Sequence, residues 1–179
     1  MIPAGFMYKK VEKDNDLPVE DIYCYGGCTT VDFAEFIPYC KHNKYYLFDN
    51  PTLMQEIAKF EAVNLEEMTL LYYEIYELQF RESTRQWENY SMTGFSLENV
   101  QIPIAKKLEG FDVTCFSGNS SPECSPLSCS NLAQKILVNQ HCLFSTFEEA
   151  KLALENDLFN INDSEPGPFR ITAVYSLPV

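Results

Sequence analysis

No stretch of this sequence keeps one hydrophobic period for long, and that limits the folds open to it. Short apolar runs of strand-like composition alternate with helix-like stretches, and Pro or Gly punctuates most junctions. A regular βαβ rhythm and a Gly-rich phosphate loop are both missing. The pattern therefore predicts α+β: one domain over residues 1–179, with a mixed or mainly antiparallel sheet and three or four helices packed on it. About five to seven strands are expected. No internal repeat is visible.

Strands are expected at Gly5–Val11, Tyr45–Phe48, Thr69–Arg81, Trp87–Tyr90, Phe111–Phe116 and Phe169–Tyr175, with weaker strand signals at Ile22–Tyr25 and Val100–Ile104. Thr29 or Thr30 is placed to cap a short helix with Phe33, Phe36, Ile37 and Cys40 as its buried stripe, interrupted at Pro38. A second helix spans Thr52–Val63 behind Pro51. Ser125 followed by Pro126 has the form of an N-cap and first helical residue. Thr146 and Glu149 form a capping-box pattern ahead of the helix beginning at Phe147.

The chain carries 13 basic and 26 acidic side chains, a formal net charge of −13. Nucleic-acid backbones need clustered Lys and Arg to displace counterions, so nucleic acid is not an expected partner. Anionic membranes are disfavoured on the same ground. No apolar run reaches the roughly 18 to 20 residues of a membrane-spanning helix. The amino-terminal residues lack a basic leader followed by an apolar stretch, so the chain reads as cytoplasmic. Phe 13, Tyr 11 and Trp 1 supply ample material for a packed core.

Seven cysteines without an export signal favour free thiols or metal ligation over a disulfide framework. Cys24, Cys28, Cys40 and His42 form one group of zinc-type donors; Cys124, Cys129, His141 and Cys142 form another. Neither has the two-residue knuckle spacing of a zinc site, so no cofactor is expected, with zinc the one candidate. Cys124 stands just before an expected helix amino terminus, where backbone N–H groups stabilise a thiolate. His141 is then a candidate general base, oriented by Asn139 or an acid. The competing account is a Ser/Pro-rich loop pinned by small buried residues.

If Thr69–Arg81 is one strand, Leu70, Tyr72, Glu74, Tyr76, Leu78 and Phe80 share a face. A Glu74 flanked by Tyr72 and Tyr76 is a candidate ligand contact, with a raised pKa if the site is dry. The plainer alternative is an exposed glutamate whose neighbouring phenols reach water.

The string GFDVTCFSG, SPECSPLSCSNLA, NQHCLF, FEEAKLALE and EPGPFRITAVYS, with MIPAGFMYKKV and VEDIYCYGGC at the front, resembles a family of uncharacterised bacterial proteins. The likeness covers most of the chain. It implies a bacterial source and a compact domain, and it carries over no activity, cofactor or functional residue.

The leading expectation is a non-enzymatic acidic protein that binds a basic protein or a small ligand. One alternative is a small cysteine-dependent enzyme using Cys124 with His141. The other is a zinc-stabilised interaction module.

Overall fold

In the computed structural model the described residues are 1–178 except 12, 14–15, 27–29, 39–41, 91–98, 117–121 and 161–166. They form one wholly antiparallel α+β sheet over a continuous core. Eight strands contribute: β1 (Ile2–Lys10), β2 (Val31–Asp32), β3 (Thr69–Ile75), β4 (Leu78–Arg81), β5 (Gln86–Asn89), β6 (Lys107–Phe116), β7 (Pro122–Cys124) and β8 (Phe169–Ser176). Three α-helices join them: α1 (Pro51–Glu61), α2 (Pro126–Cys129) and α3 (Phe147–Glu155). Among the described residues no helix is long and apolar enough to cross a membrane.

β8 lies at the centre, with β3 on one edge and β6 on the other. β1 pairs with β3, β2 with β1 and β7 with β6. The β4–β5 hairpin continues the β3 side through the pair Phe80–Phe169. One face of the sheet, holding Phe6, Tyr8, Tyr76 and Phe111, meets the helices: Gln55 of α1 donates to the Tyr8 hydroxyl, and Phe147 of α3 packs edge-on against Tyr76 and Phe111.

The chain repeats one plan twice. Each half runs strand, short paired strand, short helical turn, asparagine-centred turn, helix, strand: β1, β2, a 3-10 turn at Phe33–Phe36, α1 and β3, then β6, β7, α2, α3 and β8. Tyr73 of β3 pairs with Val174 of β8, while Gly5 faces Tyr73 and Gly110 faces Val174. The two halves are thus related by a pseudo-two-fold axis through the β3–β8 seam. This overturns the expectation of no repeat.

The same staple holds both halves. Gly5 and Gly110 sit at matching bulges with φ of 138° and 155°. A Cβ on Gly5 would lie 2.8 Å from the Phe48 carbonyl, and one on Gly110 2.6 Å from that of Phe144. Only glycine lets the returning turn approach so closely. There Phe6 and Phe48 exchange backbone hydrogen bonds of 2.8 and 2.9 Å, as do Phe111 and Phe144 at 2.9 Å each. Asn43 Nδ2 donates to the Ala4 carbonyl at 2.8 Å, and its Oδ1 accepts from the N–H groups of Tyr45 and Leu47. Asn139 repeats this with the Glu109 carbonyl at 2.7 Å and the N–H groups of His141 and Leu143. Tyr46 and Cys142 take the left-handed conformation that closes each turn.

Several expectations shift accordingly. Tyr45–Phe48 is this turn and not a strand, because its amides are consumed by Asn43 and Phe6. Ile22–Tyr25 and Val100–Ile104 are irregular, and Thr69–Arg81 breaks at Tyr76–Glu77 into β3 and β4. The first expected helix is the Phe33–Phe36 turn, capped by Asp32 in place of a threonine. Cys40 lies outside the described residues. Thr146 and Glu149 complete their capping box on α3, and Asn50 caps α1.

Each asparagine satisfies three backbone groups, so Asn43→Ala and Asn139→Ala should each lower unfolding free energy by about 2 to 4 kcal/mol. Urea melts of both variants provide the check. A loss confined to one half would mean that the staples are not equivalent.

Candidate functional site

Cys124 lies on β7 with its Cα opposite Cys115 of β6. Its sulfur is bonded to Cys129, which closes a loop over the single turn of α2. The expectation of free thiols is corrected for this pair, while Cys24 and Cys142 are not disulfide-bonded, and in its bonded state Cys124 offers no thiolate. Ser125 and Pro126 take the N-cap and first-turn positions of α2 as expected, but the Ser125 hydroxyl makes no cap bond: it donates to Asp112 Oδ2 at 2.5 Å and accepts from the Gly26 N–H at 2.8 Å.

His141 is engaged elsewhere. Its Nδ1 lies 2.5 Å from Asp21 Oδ1, its Nε2 is 3.5 Å from Glu109 Oε2, and its ring stacks on Tyr23 at 4.3 Å. Its backbone N–H belongs to the Asn139 staple. None of these partners is Cys124, so the structure does not bring the two expected catalytic residues together. Cys24 and Cys142 are fully buried. Cys24 donates to the Cys142 carbonyl at 3.4 Å, and burial pushes its thiol well above the ordinary value. Among the described residues no group of three His, Cys, Asp or Glu side chains is arranged to hold a metal. Cys28 and Cys40 lie outside them.

Tyr72 and Glu74 do meet, but Tyr76 is not with them. Tyr76 packs between Trp87 and Phe147. Glu74 accepts from the Tyr72 hydroxyl at 3.4 Å and from the Tyr175 hydroxyl at 2.9 Å, and it pairs with the Lys106 ammonium. Lys106 Nζ sits 4.8 Å from the Tyr72 ring centre and 4.3 Å from that of Tyr175. Burial alone would raise the Glu74 pKa, but the hydrogen bonds from Lys106, Tyr175 and Tyr72 outweigh it and the carboxyl is held low. The expected raised value is corrected. The cost falls on the phenols: burial and Glu74 push Tyr175 up to about 12, and Tyr72 rises too.

Lys106 ends a strap, residues 99–106, that links the halves and carries no secondary structure. The Gln101 N–H donates to the Asp49 carbonyl at 2.9 Å at one end, and Glu74 grips Lys106 at the other. Between these anchors Ile104 is fully exposed and Ile102 is 60% exposed, with Leu108 of β6 44% exposed beyond.

The opposite face of the sheet holds a buried polar layer that periodicity could not announce. Lys9, Asp112, Thr114, Arg170 and Thr172 are all at most 1% exposed. Lys9 Nζ donates to the carbonyls of Cys24, Tyr25 and Gly26 and to the Thr30 hydroxyl, at 2.8 to 3.4 Å. Asp112 Oδ2 accepts from the Tyr25 N–H at 2.7 Å, from Ser125 and from Thr114. These bonds tie residues 24–26 and Thr30 to β1 and β6. Burial lowers the Lys9 pKa, offset in part by Asp32, Asp112 and others; it raises that of Asp112, offset in part by its three donors. Alternation along Phe169–Tyr175 puts Arg170 and Thr172 on one face, but no sequence signal marks that face as buried.

The Glu74 pair gives a pH signature. A carboxyl held low in the folded state stabilises it above the unfolded pKa, and this contribution is lost as pH falls through the folded value. The wild type's stability advantage over Glu74→Gln should therefore be full at neutral pH and vanish with acidification through the carboxylate range. Urea melts across that range check the sign; a gap that widens on acidification would contradict it.

No family model, curated protein or solved structure matches this chain.

Proposed function

We propose that this is a non-enzymatic binding protein whose partner is a basic protein, docked on the strap around Ile102 and Ile104. The observation that carries the reading is the pinned strap itself. Ile102, Ile104 and Leu108 are exposed within seven residues of one another, and grouped apolar exposure, unlike singly scattered residues, is a mark of interaction surfaces. The strap is fixed at both ends, so the ordering entropy of docking is already spent in the free protein. Glu74, Tyr72 and Tyr175 then act as the clamp that positions the strap and do not themselves touch a ligand. The net charge of −13 supports a basic partner by steering encounter and rejecting acidic competitors.

A photo-crosslinking residue at position 104 should capture a basic protein in preference to the same probe at exposed position 137. Capture should fall with salt, and Ile102→Asp with Ile104→Asp should weaken it by more than about tenfold, or 1.4 kcal/mol. Equal capture from both positions, or binding indifferent to the aspartates, would sink the proposal. Glu74→Gln should weaken binding less than the aspartates, by loosening the strap.

A further inference from the structure

Five buried side-chain polar atoms have no hydrogen-bond partner among the described residues: the Tyr73 hydroxyl, Asp112 Oδ1, Thr172 Oγ1, and Nε and Nη1 of Arg170. All belong to one face of three adjoining strands. Thr172 pairs with Ile75 of β3 on one side and Asp112 of β6 on the other, Arg170 pairs with Thr114 of β6, and Tyr73 pairs with Val174. Buried polar groups are almost always satisfied, and the unpartnered donors of this cluster outnumber its one unpartnered acceptor, Asp112 Oδ1, so the donors call for an acceptor.

The charges on this face indicate what that is. Lys9 spends its three N–H donors on four acceptors. The Asp112 carboxylate and Lys9 act on each other across the layer. Arg170 is left over. Its Nη2 donates to the Tyr76 carbonyl at 2.8 Å, and its guanidinium lies 3.9 Å from the Tyr90 ring centre, 5.5 Å from that of Phe116 and 5.6 Å from that of Tyr45. The Tyr45 phenol supports the charge without meeting the geometry of a hydrogen bond to Nε or Nη1. Among the described residues no carboxylate pairs with it. Arginine does not escape burial by losing its proton, and aromatic faces replace only part of the lost hydration. Three N–H donors, one on Nε and two on Nη1, therefore have no acceptor among the described residues.

We propose that Arg170 is the centre of a binding site for a small oxyanion, a carboxylate or a phosphate, which accepts from the second N–H of Nη2 together with either Nη1–H or Nε–H, the two planar forks of the guanidinium, beside the Tyr45 and Tyr90 rings. Planar multidentate recognition of such oxygens is the chemistry for which a guanidinium is suited. The hydroxyls of Thr172 and Tyr73 supply further donors on the same face. The site is closed, with Arg170 1% exposed, so the anion enters only as the aromatic cover opens. The site is independent of the strap, and its salt response has the opposite sign. An acidic protein repels an anion at long range, so added salt speeds anion entry while it weakens a basic partner.

The test is a titration of arginine-labelled protein followed by the nitrogen NMR signal of the Arg170 Nε–H, identified by its loss in Arg170→Lys. Inorganic phosphate, succinate and chloride are compared at matched ionic strength. A saturable shift with phosphate, with succinate or with both is expected, and which of them saturates tells phosphate from carboxylate. Calorimetric affinity for that anion should drop at least about tenfold in Arg170→Lys, which keeps the charge but loses the fork. If that variant does not fold, Tyr90→Leu identifies the same signal by removing the ring beside it, and the wild-type titration decides. No saturable shift with either oxyanion, or the same shift with chloride, would overturn the site.

Discussion

The path of the chain into both long helices hangs on two asparagine side chains. Each hydrogen-bonds a turn to itself and to the strand beside it, at the point where a glycine bulge lets the turn come within contact of the backbone. The turn then delivers the chain into a capped helix at a fixed angle to the sheet. Without the side-chain carbonyl, the two amides of each turn would be buried without acceptors, because the turn is too irregular to supply its own. Because the device occurs twice about the β3–β8 seam, the two halves share one sheet and one core.

The two faces of that sheet do different work. The helical face is closed by aromatic edge contacts such as Phe147 against Phe111. The other face is covered by irregular chain, and irregular chain brings backbone carbonyls that need donors. Lys9 meets that need for three consecutive residues, and Asp112 meets the reciprocal need of the Tyr25 amide. Charged residues inside a small domain are here the consequence of covering a sheet with loop. Arg170 is the charged member of this layer with N–H donors that no described residue accepts.

The duplication was legible in principle and shows why periodicity missed it. Asn43-Lys-Tyr-Tyr-Leu-Phe-Asp-Asn50 and Asn139-Gln-His-Cys-Leu-Phe-Ser-Thr146 share an asparagine, a Leu-Phe pair and a capping residue at the same spacing, each downstream of a Gly-Phe pair. Only the residues whose backbone or side chain builds the staple are kept. The apolar run Tyr45–Phe48 reads as a strand to any pattern count, because β-propensity measures fit to a pleated surface and is silent on where the amides go. Glu74 was singled out for its tyrosines, yet its partners Lys106 and Tyr175 come from beyond the next hairpin and from the last strand.

Local chemistry in the chain determined the α+β class, the caps of α1 and α3, the β6 and β8 strands, and a net charge of −13. Those features depend on neighbours a few residues apart, which sequence places side by side. Tertiary structure alone decided that Cys124 bonds to Cys129, that His141 sits with Asp21 and Glu109, that Glu74 is held low by Lys106, and that Arg170 is buried with donors to spare. Each of these is a property of contact and burial. Which face of β8 is roofed by loop, and which residues the fold lays over it, is fixed only when distant segments pack.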